Sequence, residues 1–222
     1  MTQQYTYYVN EVLAESNVLP KKIDDAIKRL DLDKIYPEVI TSTKVKAEAE
    51  EFITRAKASY QSVNDLINRH WVLKKALIRF NAGCVDSFVP TNTIEVLGNN
   101  YTVAELIERK KNLELYKTLL SKLEYINLKW EMQLERENKD YNIRLESFIR
   151  SQQEALKDNK KDEARVAEWT ASFSPTNQPV RLDPIGLLKE IDRLKEHIDN
   201  FGSKLDMALS RLNATCQITI TT

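Results

Sequence analysis

The chain of 222 residues balances 33 Lys and Arg against 33 Asp and Glu, so no long-range field draws it to DNA, RNA or an anionic membrane. Charged residues make up 30% of it, against four Gly and six Pro, a composition poor in turns and suited to long helices. Mean hydropathy is −0.48, and no apolar run approaches the roughly 20 residues that cross a bilayer.

The first predicted element covers residues 1–32. Val9, Val12 and Leu13 form a short apolar face, and Ile23, Ile27 and Leu30 continue it. Leu19-Pro20 predicts a break between them, because proline lacks the N–H and restricts the residue before it. Residues 31–43, with Pro37 and Thr41-Ser42-Thr43, read as a linker. Glu11 and the absence of a basic-then-apolar block predict no secretory signal.

A second helix is predicted over 44–82. One seam carries Val45, Phe52, Ser59, Leu66, Leu73 and Phe80, and the other Ala49, Ala56, Val63, His70 and Leu77. Steps of four and three sustained this long predict coiled-coil-like packing. Gly83 stands where a left-handed cap commonly ends a helix. A β-hairpin region follows over 84–103, with Gly98-Asn99-Asn100 as the turn. Thr102 and Glu105 have capping-box spacing, so the return strand should enter a helix directly.

That helix, over 103–157, carries Leu106, Leu113, Leu120, Asn127, Leu134, Tyr141 and Phe148 at intervals of seven. Tyr116, Leu123 and Trp130 fill the paired seam. Unbroken, it is a rod of roughly 80 Å. Its distal half should either fold against 158–182 or pack on another chain. With little chain to cover Leu134, Tyr141, Leu145, Phe148 and Ile149, a homo-oligomer is expected. Residues 158–182 read as a polar bend, a short helix around Trp169, and a loop. Asp183-Pro184 predicts an N-cap and first helical residue for a last helix over 184–213. Ile191, Ile198, Leu205 and Leu212 form one of its seams, and Leu187, Leu194, Phe201 and Ala208 the other. Residues 216–221 alternate like a terminal strand, and residues 76–85 resemble 208–217, as if two helices fed one small sheet.

Few residues suggest chemistry. His70 on the seam and His197 beside Ile198 read as structural, and no zinc spacing surrounds either. Cys84 and Cys216 are expected as free thiols, and Asn127 in a leucine ladder as a register-fixing residue. Neither a nucleophile motif nor a phosphate-binding glycine loop is present. The expectation is therefore a protein that is not an enzyme and needs no cofactor.

The chain resembles a family of phage- and prophage-encoded helical proteins of unassigned function, and more weakly the septicolysin-like family. The segments that carry this are Val12-Leu13-Ala14-Glu15, Ser59-Tyr60-Gln61, Tyr101-Thr102-Val103-Ala104-Glu105 and Asn213-Ala214-Thr215. None is a catalytic signature. The resemblance implies an α-helical fold and a phage origin, acting in the host-cell cytoplasm or the virion.

Together these readings predict a mainly α protein: one elongated antiparallel helical bundle over 1–222, with coiled-coil seams and a small antiparallel β-sheet cap. The expected function is a non-enzymatic oligomeric assembly or accessory protein whose partners are itself and another phage or host protein. Leu113, Leu120, Asn127, Trp130, Leu134, Tyr141, Leu145 and Phe148 are the candidate oligomer or packing seam. The alternative is an anti-defence protein that sequesters a small nucleotide signal, with Arg79 and Arg211 as its ligand-binding residues. Membrane lysis ranks last, since no helix is strongly apolar.

Overall fold

A computed structural model of the chain describes residues 7–82, 93–155 and 163–215. The protein is mainly α; the described residues form five helices and two small antiparallel sheets in the order α1 (Val9–Lys28), β1 (Lys34–Pro37), α2 (Thr43–Asn81), β2 (Ile94–Val96), β3 (Asn99–Tyr101), α3 (Val103–Ala155), α4 (Glu163–Asn177), β4 (Pro179–Leu182) and α5 (Leu187–Thr215). Gly83, Cys84, Cys216 and the expected strand 216–221 lie outside the described residues, as does the side chain of Leu212. The chain forms two compact units: residues 1–30, 59–122 and 189–222 make the first, and residues 31–58 and 123–188 the second.

In the first unit α1 is continuous, which corrects the expected break at Leu19-Pro20. Proline deprives the Ser16 carbonyl of its helical donor, at a cost of about 3 kcal/mol in a helix interior. The buried face of Ser16, Leu19, Ile23 and Ile27 offsets that cost and holds the helix through it. α2 and α3 run antiparallel, since Arg79 meets Glu105, His70 meets Asn112, and Asn68 meets Tyr116. α5 also opposes α3, through Asp206 with Lys110 and His197 with Tyr116. One core cluster joins Val96, Tyr101, Leu106, Leu113, Phe201 and Leu205.

The α2 seam holds at Ala49, Ala56, Val63, His70 and Leu77, all buried. Its companion is less regular: Tyr60 and Ile67 are buried where Ser59 and Leu66 were expected, and Phe80 is 59% exposed. Phe52 and Leu73 of that companion seam are still buried, so the covered stripe widens around it and does not leave it. The hairpin turn is Leu97-Gly98, with φ of 49° and 75°, so Asn99 and Asn100 belong to the return strand. Two successive positive φ values suit the twist of a two-residue hairpin. The capping box stands as predicted: Thr102 N–H donates to Glu105 Oε2 at 2.8 Å, and Glu105 N–H to Thr102 Oγ1 at 3.2 Å.

In the second unit, the residues read as a linker contain β1, which pairs antiparallel with β4 from Lys34↔Leu182 to Pro37↔Pro179. The expected loop before Asp183 is thus a strand. The helix around Trp169 is longer than expected and takes Pro175 into its last turn. Glu38 N–H donates to the Gln178 carbonyl at 3.1 Å, extending the pairing towards α4. α5 starts at Leu187 and not at Pro184. The Asp183 carboxylate caps it by accepting from the Gly186 and Leu187 N–H groups at 2.9–3.0 Å, with Gly186 at φ 69° making the entry bend.

α4 also corrects the expectation that the far half of α3 has nothing to cover it. Tyr141 Oη lies 2.7 Å from Ser174 Oγ, and the Phe173 ring stacks on Phe148 at 4.9 Å. Tyr141 is buried, while Leu134, Leu145, Phe148 and Ile149 are half-buried.

Candidate functional site

Of the residues singled out from sequence, Leu113, Trp130 and Tyr141 are buried, and Leu120 and Asn127 are half-buried. Their seam is an internal packing surface. Arg79 is half-exposed and engaged by a buried partner: its Nε donates to Glu105 Oε1 at 2.8 Å, and the Glu105 side chain is wholly buried. Burial alone would raise the Glu105 carboxyl, but the Thr102 N–H and the Arg79 guanidinium outweigh it and hold the carboxyl below its usual value. Arg211 is exposed on α5.

An exposed apolar surface lies elsewhere on α3. Tyr125, Leu128, Met132 and Ile143 are 60%, 57%, 51% and 65% exposed. At 100° per residue they fall within about 60° of one line along the helix. Leu123, Ile126, Trp130 and Tyr141 fall on roughly the opposite side and are buried. In the second unit α3 thus has a covered apolar face and, roughly opposite it, exposed apolar residues with Arg136 and Lys139 between Met132 and Ile143. The i, i+3, i+7 spacing of Tyr125, Leu128 and Met132 was the available sequence signal, masked by the stronger seam of sevens.

Two further constellations went unrecognised in the sequence, and they share one design. In the second unit the Arg181 guanidinium sits 3.8 Å from the centre of the Trp130 ring and donates from Nη2 to Asn127 Oδ1. Trp130 is fully buried, its Nε1 donating to the Lys34 carbonyl at 3.3 Å. Asn127 thus anchors β4 to α3, a local role in place of the expected register-fixing one, and its Nδ2 donates to Glu131 Oε1 at 2.8 Å. In the first unit the Arg109 guanidinium lies 4.8 Å from the Trp71 ring and 5.3 Å from the Phe201 ring. Its Nη1 donates to Asn112 Oδ1 at 3.0 Å, and the Asn112 amide reaches His70 Nδ1 at 3.3 Å.

Arginine only donates, so the Asn112 carbonyl oxygen must face Arg109 and its amide nitrogen must face His70. His70 Nδ1 is then an acceptor, and the neutral ring carries its proton on Nε2. His197 joins the same layer, stacked on Phe201 at 5.8 Å and edge-on to Tyr116 at 5.2 Å. His70 Nε2, His197 Nε2 and Arg109 Nε are all buried without a hydrogen-bond partner. Burial lowers the pKa of both histidines; Lys74 adds to the effect at His70, and Arg109 and Arg193 add to it at His197.

A groove of about 230 Å³ between α3 and α5 is lined by Lys110, Leu113, Glu114, Lys117 and Asp206 among others. Four of its charges pair with one another, Lys110 with Asp206 at 2.6 Å and Lys117 with Glu114 at 2.7 Å. Among the described residues no group of three or more His, Cys, Asp or Glu is placed to hold a metal ion, and no helix is long and apolar enough to cross a membrane. No protein-family model, curated protein or solved structure matches the chain.

Proposed function

We propose that the protein is a non-enzymatic assembly or accessory protein that works by protein–protein contact, with a second copy of itself as the first partner. The single observation behind this reading is the exposed stripe Tyr125, Leu128, Met132 and Ile143. Large apolar side chains aligned on one helix face mark interaction surfaces more often than scattered ones do. The balance of 33 cationic and 33 anionic residues favours self-association, because two identical chains without net charge do not repel. The resemblance to phage- and prophage-encoded helical proteins makes a phage the expected source, and the host cell or virion the expected place of action. The nucleotide-sequestering alternative loses support, because Glu105 already engages Arg79.

Light scattering during size-exclusion chromatography across micromolar concentrations tests the proposal. The wild type should run as a dimer or larger. Tyr125→Glu combined with Met132→Glu should run as a monomer with unchanged helical circular dichroism, since two carboxylates cannot be buried unpaired at such an interface. A wild type that stays monomeric throughout overturns the proposal.

A further inference from the structure

The buried layer of the first unit is wired so that a proton breaks it. Asn112 cannot turn its amide around, because Arg109 takes its oxygen and has nothing to accept with. His70 is therefore held as an acceptor at Nδ1. A proton there would set an N–H against the Asn112 N–H₂, donor facing donor, and place a second cation in a layer that already buries part of Arg109. We propose that His70, Asn112 and Arg109 form a proton-operated latch, and that a proton on His70 Nδ1 in mild acid opens the packing of α2, α3 and α5 in the first unit.

The charges facing the latch favour this. Lys74 on α2 disfavours the cation at His70; Glu108 on α3 favours it, but Glu108 is engaged by Lys111 at 3.2 Å. His197 faces Arg109 from α3 and Arg193 from its own helix, both cationic. The sign follows directly. Unfolded histidine titrates near 6.5, and both native histidines lie below that. Below pH 6.5 the unfolded chain therefore binds more protons than the native one. The stability that the neutral rings contribute is present above that pH and is lost as pH falls towards their native values. Both histidines of the chain belong to the first unit, so the second has none to titrate.

Hydrogen–deuterium exchange, corrected for intrinsic rate, reads the latch on the full chain. Between about pH 7.5 and pH 5, amides of residues 66–77 and 105–119 should exchange at least about tenfold faster, while those of β4, α4 and residues 123–155 keep their protection. Asn112→Asp should cut the acid response to the share that His197 carries, because a carboxylate accepts from Arg109 and from a protonated His70 alike. His70→Gln should remove the His70 share of it, because its amide oxygen accepts from Asn112 and takes up no proton, and His70→Gln combined with His197→Gln should remove all of it. If Asn112→Asp fails to fold, His70→Gln decides alone. Wild-type protection that does not change with pH overturns the latch, as does an acid response in His70→Gln as large as that of the wild type.

Discussion

Each unit holds a guanidinium over a tryptophan ring and ties it to an asparagine on α3, yet the two asparagines hand the chain of hydrogen bonds to different partners. Asn127 passes it to the Glu131 carboxylate, which accepts whenever it is ionised; Asn112 passes it to His70, which accepts only while neutral. One terminus makes the arrangement a fixed anchor for β4, and the other makes it responsive to acid. An arginine–tryptophan contact is therefore no guide to behaviour until its last acceptor is known.

Replacing the ring should have the largest effect. Trp130→Ala empties a fully buried site beneath Arg181 and should destabilise the second unit by about 3–5 kcal/mol in urea unfolding. Trp71 is only half-buried, so Trp71→Ala should cost clearly less by the same measurement. Equal losses would mean that the two stacks are energetically alike. Glu105→Gln should come next, at about 1–3 kcal/mol, since it removes a buried charge from the Arg79 pair while Arg79 stays half-exposed. The native Glu105 carboxyl lies below 4.5, so its contribution is present above that pH and lost as pH falls through the native value. Acid titration followed by circular dichroism should then show two stages in the first unit, a histidine stage below pH 6.5 and a carboxylate stage at lower pH. His70→Gln should shrink only the earlier one. Smallest of all, Asn127→Ala should cost about 0.5–1.5 kcal/mol with no dependence on pH near neutrality. Asn112→Ala, which strips a buried group from both Arg109 and His70, should cost more.

The long helices were legible because their signal is local. The expected spans 44–82 and 103–157 end within two residues of α2 and α3, and the spacing of Thr102 and Glu105 located the start of α3. The pairing of β1 with β4 was not legible. Each strand has four residues, carries a proline at one end and lacks an alternating pattern of its own, so only the partner distant in sequence makes either a strand. Pro20 and Pro175 misled for a related reason: a helix-breaking residue is overruled when the face around it packs, and packing is a tertiary fact. The polar layer stayed hidden because His70, Arg109 and Asn112 look like ordinary helix residues until α2 and α3 are set antiparallel.

The partnership of residues 34–37 with residues 179–182 has a consequence for how the protein is made. A ribosome adding about 5–20 residues per second leaves β1 outside the tunnel for roughly 7–30 s before its mate exists. Throughout that interval the nascent chain carries Lys34-Ile35-Tyr36-Pro37 with backbone groups that have no strand partner, open to pairing with another extended chain.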